Sequence, residues 1–229
     1  MKFPCAFFAL LLLALPLMPV QGQVRLSDPG FPREESYTYQ KTGEKGVETA
    51  RVKIHRDEYA APPQILYLLE SETEEIRAKL DLATLTGFYS QTISSYEAST
   101  IRRTNEVLEN NKRAGPGQLL ITDAAALPVS LRGFPWEEQD EAELLFPRDS
   151  NRFTLTLKVK GRQTVETPAG DYECYEVHLQ LDGILGGLFP KTRLWYSVDP
   201  PHILVRSEDP GMGGGDEVQM ELLSYSAQW

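Results

Sequence analysis

Between Arg152 and Asp182 the chain reads RFTLTLKVKGRQTVETPAGDYECYEVHLQLD. In the first arm Phe153, Leu155, Leu157 and Val159 alternate with Thr154, Thr156, Lys158 and Lys160. A two-residue period of this kind belongs to a strand with one buried face. In the second arm Tyr175, Val177, Leu179 and Leu181 alternate with Glu176, His178 and Gln180. Between the arms Thr167-Pro168-Ala169-Gly170 supplies turn chemistry, Pro presetting φ and Gly accepting a positive φ. The stretch predicts a long antiparallel hairpin at the centre of a sheet, and any fold for the chain has to be built around it.

The same alternation recurs along the chain. Glu35 to Gln40 places Tyr37 and Tyr39 on one face, and Ala50, Val52 and Ile54 mark a second strand beyond the Gly43 and Gly46 turn. Gln64 to Glu70 is short and apolar. Glu74 to Leu82 contains good helix formers, but Ile76, Ala78, Leu80 and Leu82 alternate strictly, which favours a strand. Weaker strands are expected at Thr92–Tyr96, Thr100–Val107 and Ala142–Phe146, and stronger ones at Thr192–Val198, Ile203–Ser207 and Glu217–Tyr225. Asn110–Gly117 is a loop by composition. Thr122-Asp123 can cap a short helix over Ala124–Arg132, whose length Pro128 limits. The expectation is a mainly β fold, an antiparallel curved sheet forming a barrel or half-barrel of about nine to eleven strands with one short helix.

The N-terminus, MKFPCAFFALLLLALPLMPVQG, has the layout of a secretory signal. Lys2 is the positive end, Ala6 to Leu17 the apolar core, and Val20-Gln21-Gly22 a small-residue cleavage site. The alternative, an uncleaved anchor, would need about 20 apolar residues. Cys5 opens the apolar run instead of following it, so it does not read as a lipid-attachment cysteine. The expected organisation is therefore a signal peptide over 1–22, a leader over 23–33 and a single β-rich domain over 34–229. No other stretch is long and apolar enough for a membrane helix. The whole chain carries a net charge of −10. Loss of Lys2 leaves 22 basic against 33 acidic residues, or −11, which argues against nucleic acid as a partner. Cys174 is then the only cysteine, and it is expected to be buried and inert.

Motifs that carry chemistry are scarce. His55, His178 and His202 form no HxH or HExxH spacing, and no CxxC occurs. His178 reads as a solvent-facing strand residue. Cys174 and His178 would lie about 13 Å apart along a strand, too far for a nucleophile–base pair. GxSxG and GxxxxGK[ST] are both absent. Gly211–Gly215 (GMGGG) reads as a flexible hairpin loop, and its flanking Asp209 and Asp216 offer at most a weak calcium site. The acidic run Glu137–Glu143 could supply paired carboxylates, but such runs commonly form solvated surface. No catalytic residue, cofactor or metal ligand is expected. The remaining feature is apolar excess near predicted strand ends: Phe134, Trp136, Leu185, Leu188, Phe189, Trp195 and Tyr196. These could line the mouth of a curved sheet as an apolar ligand site, or plug its end and pack the short helix onto it.

Several segments of the C-terminal half together resemble an exported bacterial family, domain of unknown function 3108. Val165–Tyr175 (VETPAGDYECY) is similar to its Pro-Ala-Gly turn and following aromatic strand. Leu194–Val205 (LWYSVDPPHILV) resembles its strand pair with spaced Trp, Ser and Asp followed by Pro and Val, and Met220–Tyr225 (MELLSY) its terminal strand. Asp123–Pro135 (DAAALPVSLRGFP) resembles its helical element, an Asp followed by Leu-Arg-x-x-Pro. The resemblance implies an envelope-associated, antiparallel β protein and carries no activity, cofactor or catalytic residue.

The chain is thus expected to be an exported, periplasmic or secreted β-protein of the cell envelope. Its expected role is non-catalytic binding of an apolar ligand such as lipid. The alternatives are a protein-interaction or scaffold module meeting an envelope protein through a sheet edge or the Glu137–Glu143 loop, an undetected hydrolase, or an outer-membrane barrel. The last is suggested by Trp229 with Ala227, Tyr225 and Leu223 alternating behind it.

Overall fold

A computed structural model describes residues 24–44, 46–96, 99–106, 115–122, 124–148, 151–183, 190–211 and 217–229. The expected signal peptide therefore lies outside the described residues. Among the described residues the chain forms one sheet of thirteen strands. In chain order they are β1 (Glu34–Gly43), β2 (Gly46–Asp57), β3 (Gln64–Glu70), β4 (Glu74–Asp81), β5 (Gly87–Tyr96) and β6 (Ser99–Glu106). The later strands are β7 (Gln118–Leu120), β8 (Glu141–Arg148), β9 (Asn151–Thr167), β10 (Gly170–Leu181), β11 (Thr192–Ser197), β12 (Leu204–Asp209) and β13 (Val218–Gln228). The spatial order is β6-β5-β4-β3-β2-β1-β13-β12-β11-β10-β9-β8-β7. Every pairing is antiparallel except β7 with β8.

The strand count exceeds the expected nine to eleven, and among the described residues the sheet is not closed: β6 and β7 are its two ends and do not pair. The strand that sequence reading passed over is β7, three residues long and parallel to its neighbour, too short to show a period. Glu74–Asp81 is a strand, as its alternation indicated. The central hairpin is present, with Leu155, Leu157, Val177 and Leu179 buried on one face. Phe153 pairs with Phe146 in the ladder.

Curvature follows from what the sheet encloses. In a flat sheet β4 and β10, seven strand spacings apart in this order, would be separated by about 34 Å. Instead Ile76 of β4 and Leu179 of β10 line the same cavity. The space between is filled by a helical segment: a 3₁₀ turn (Ala124–Ala126), the single-turn helix α1 (Leu127–Ser130) and a second 3₁₀ turn (Leu131–Gly133). Pro128 sits in the first turn of α1, where a missing N–H costs nothing. The Thr122 hydroxyl, an expected cap, donates to the Gly87 carbonyl at the start of β5. Asp123 lies outside the described residues.

The stretch preceding β1 is part of the core, with Val24, Leu26 and Phe31 buried. It crosses the helical segment so closely that Ser27 N–H donates to the Gly133 carbonyl at 3.0 Å. A Cβ on Gly133 would stand 2.2 Å from the Ser27 carbonyl oxygen and 2.4 Å from Leu85 Cδ1. Only glycine fits between these two layers. Among the described residues no helix is long and apolar enough to cross a membrane.

Candidate functional site: an apolar cavity inside the sheet

The concave face encloses a cavity of about 380 Å³, within the range of about 300–1,000 Å³ usual for small-molecule sites. One wall comes from β1–β4, with Tyr37, Tyr39, Val52, Ile54, Tyr67 and Ile76. The opposite wall comes from β10–β13, with Leu179, Leu194, Leu204 and Met220. Leu127, Val129 and Arg132 of the helical segment close it from within. These residues share one space because alternate positions of each strand face inward and the sheet curls. Burial gives the cavity a direction. Tyr37, Val52 and Arg132 are buried, whereas Lys41, Glu74, Ser207 and Val218 are half-buried and Asp209 is exposed. The polar residues therefore rim a mouth, and the apolar residues with Arg132 form the floor.

At the rim Lys41 Nζ lies 2.9 Å from Glu48 Oε1. Thr73 adds two hydrogen bonds to the same carboxylate, its hydroxyl at 2.8 Å and its N–H at 3.2 Å. Partial burial alone would raise the Glu48 pKa, but the bonds from Lys41 and Thr73 outweigh it and hold the carboxyl below its ordinary value. Lys41 is thus already committed to a neighbour.

The floor rests on a buried ion pair. Arg132 Nη1 donates to Glu35 Oε2 at 2.7 Å and Nη2 to Glu35 Oε1 at 3.0 Å, a bidentate fork. Arg132 Nε donates to the Pro201 carbonyl at 2.8 Å, and the Tyr225 hydroxyl donates to Glu35 Oε1 at 3.0 Å. The guanidinium also stacks over Phe31, 4.3 Å from the ring centre. One side chain therefore ties the helical segment to the segment before β1, to β1 itself and to the β11–β12 turn. Glu35 on its own strand gives no hint of this role, because its partner is 97 residues away.

The apolar residues singled out from the sequence divide into three groups. Phe134, Trp136 and Tyr196 are brought together. Trp136 packs edge-on to Phe134 with centres 4.9 Å apart, and lies 5.2 Å from both Tyr196 and Tyr175. The Tyr196 hydroxyl donates to the Pro128 carbonyl at 3.1 Å. This cluster packs the helical segment onto the sheet, behind the cavity and not around it. Trp195 is on the other face of the sheet, opposite Glu176 in the ladder, with Arg193 and Arg206 over its ring. The signal was available: a two-residue period cannot place Trp195 and Tyr196 on one face. Leu185, Leu188 and Phe189 lie outside the described residues.

The remaining candidates disperse. Cys174 is free and fully buried, and burial first of all pushes its thiol up to about 12. His178 is half-buried, not solvent-facing as expected, with Nε2 2.6 Å from Glu176 Oε1. His202 is held below its ordinary pKa mainly by burial, with Arg132 adding to the effect against a hydrogen bond to Ser197. Within the acidic run, Glu137 bonds Arg162 and Tyr175, Glu141 lies 3.2 Å from Lys158, and Gln118 donates to Glu143. Asp209 Oδ1 accepts from Gly211 N–H at 3.0 Å, and Asp216 lies outside the described residues. Among the described residues no group of three or more His, Cys, Asp or Glu is placed to share a metal ion.

The sequence profile of the family described as "Protein of unknown function (DUF3108)" matches residues 95–222, just over half of the chain. The chain belongs to the DUF3108 family. The match begins well before the first segment in which the sequence resemblance was visible, and it takes in β6 and the helical segment. No curated protein matches the sequence. Among solved structures, the fold is similar to a beta-barrel-like protein of domain of unknown function DUF1849 from Brucella abortus. That pair has a TM-score of 0.42 and 12% identity, covering 90% of this chain and 100% of the other. A candidate lipoprotein from Parabacteroides distasonis gives 0.37 at 13% identity, covering 90% and 100%. A candidate exported protein with a YmcC-like fold from Bacteroides fragilis gives 0.33 at 13% identity, covering 89% and 100%.

Proposed function

We propose that this DUF3108 protein is exported to the cell envelope and binds an apolar ligand, with lipid the leading class, without carrying out chemistry on it. The observation that carries this reading is the cavity of about 380 Å³ walled by Val52, Ile54, Leu179, Leu194 and Met220 and rimmed by polar groups. Burying apolar ligand surface there contributes roughly 25 cal/mol per Å² removed from water, less the cost of ordering the ligand. The export half of the reading rests on the N-terminal sequence. The test is to purify the full chain from its exporting host, extract it with organic solvent and analyse the extract by mass spectrometry. An apolar molecule recovered in near-stoichiometric amount supports binding. An empty extract, together with no uptake of added lipid, refutes it.

A second reading has one observation in its favour. The strand β6 stands at the end of the sheet with β5 as its only paired neighbour among the described residues, and an edge of this kind can accept a strand from a partner protein. Proline substitutions at alternate positions of β6 that abolish capture of an envelope partner while leaving ligand binding intact would favour it.

A further inference from the structure

The floor of the cavity holds a polar group with no bonding partner among the described residues. Tyr37 lines the cavity and is 4% exposed, and among the described residues its hydroxyl is buried without a hydrogen-bond partner. Its stacking neighbours are differently placed. Tyr39, with its ring centre 6.0 Å away, donates to the Leu204 carbonyl at 2.8 Å. Tyr225, 5.0 Å away, donates to Glu35. Buried hydroxyls normally find partners, and one left unpaired beside a cavity asks what fills that space when the protein is at work.

The surroundings define the missing partner. Arg132 also lines the floor, but its charge is matched by Glu35 through two hydrogen bonds. Among the described residues the floor therefore offers a phenolic donor in an electrically balanced setting and no free cation. A ligand carboxylate placed here would add a second buried negative charge near Glu35, which is strongly unfavourable. A neutral acceptor meets no such obstacle. Burial, foremost among its causes, raises the Tyr37 pKa well above its ordinary value, so the hydroxyl keeps its proton at neutral pH.

We propose that Tyr37 is a hydrogen-bond anchor at the cavity floor for a neutral oxygen, that of an alcohol or ester, carried on the buried end of an otherwise apolar ligand. This rests on the reading of the cavity as an apolar-ligand site, and the experiment separates the two. The full chain and its Tyr37→Phe variant are titrated calorimetrically with 1-octanol, n-octane and octanoate. Circular dichroism and urea unfolding confirm that the variant, which keeps the ring stack, is folded.

The expected result is that Tyr37→Phe weakens 1-octanol about fivefold, the worth of one neutral hydrogen bond, and leaves n-octane within a factor of two. Octanoate binds the wild type more weakly than 1-octanol does. If Tyr37→Phe leaves 1-octanol unchanged, or weakens all probes alike, the anchor is overturned while the cavity remains a ligand site. If none of the three binds the wild type, the underlying reading fails and the anchor with it.

Discussion

Replacing Arg132 with methionine is the most informative single perturbation of the fold. The side chains of Arg132 and Glu35 are 2% and 0% exposed, so neither can turn to water when the other is lost. The substitution removes both bonds to Glu35 and the bond to Pro201, leaving the Glu35 carboxylate with the Tyr225 hydroxyl as its remaining donor. Breaking a buried pair by removing one member costs about 3–5 kcal/mol, because a charge is left uncompensated in a low-dielectric site. With a urea m-value of about 3 kcal/mol/M, the unfolding midpoint should fall by about 1–1.7 M. Unfolding can be followed by tryptophan fluorescence, since Trp136 is edge-on to His202 and buried beside the affected turn. The double variant Arg132→Met/Glu35→Met removes both charges and should recover much of the loss, giving a coupling energy of several kcal/mol. A cost for Arg132→Met below about 1 kcal/mol, the range of a solvated surface pair, would refute the claim that this pair ties the helical segment to the sheet.

Three further outcomes follow from the packing. Gly133→Ala should destabilise by about 1–3 kcal/mol by urea unfolding, because the new methyl meets the Ser27 backbone and Leu85. A glycine to alanine change at the open position Gly30 is the local control, since no atom lies within 4 Å of its Cβ position, although its φ of +85° adds backbone strain of its own. Cys174, buried and with its thiol pushed up to about 12, should resist alkylation by iodoacetamide at pH 8 until the chain is unfolded, which timed mass spectrometry reads directly. His202 should impose a pH slope on stability. Its folded pKa is depressed, so between the unfolded value near 6.5 and the folded value the unfolded chain binds more protons, and stability falls as pH drops through that window. Urea midpoints measured from pH 7.5 to 5 should show this slope in the wild type and less of it in His202→Gln.

How much of this could be read beforehand depends on the range of each interaction. The alternation in β9 and β10 and in the β1–β2 hairpin is local, and it identified the strands and the inward faces, Tyr37 and Tyr39 included. The family resemblance pointed to the helical segment through Leu131-Arg132 and Pro135. Three things escaped. The strand β7 is too short to carry a period. A bulge at Lys160–Gly161 shifts the register between β9 and β10, so Arg162 faces Tyr175 and Val165 turns to the opposite side with Tyr172 and Cys174. The pairing of Glu35 with Arg132, and with it the position of the cavity floor, joins segments 97 residues apart. A Glu in a strand and an Arg in a 3₁₀ turn give no sign of each other. The large aromatic residues drew attention to the cavity's backing, while its actual walls are aliphatic residues and tyrosines of ordinary strand pattern.

The central claim, a curled sheet whose apolar interior takes up a ligand, is tested most directly by calorimetric titration of the full chain with 1-octanol at several temperatures, in wild type and Met220→Trp. Met220 is a half-buried wall residue, and an indole there takes up part of the cavity. The account predicts saturable binding of one molecule per chain with a negative heat-capacity change, the signature of apolar burial, and its weakening in the folded Met220→Trp variant. Absence of saturable binding to the wild type, or undiminished binding to Met220→Trp, would contradict it.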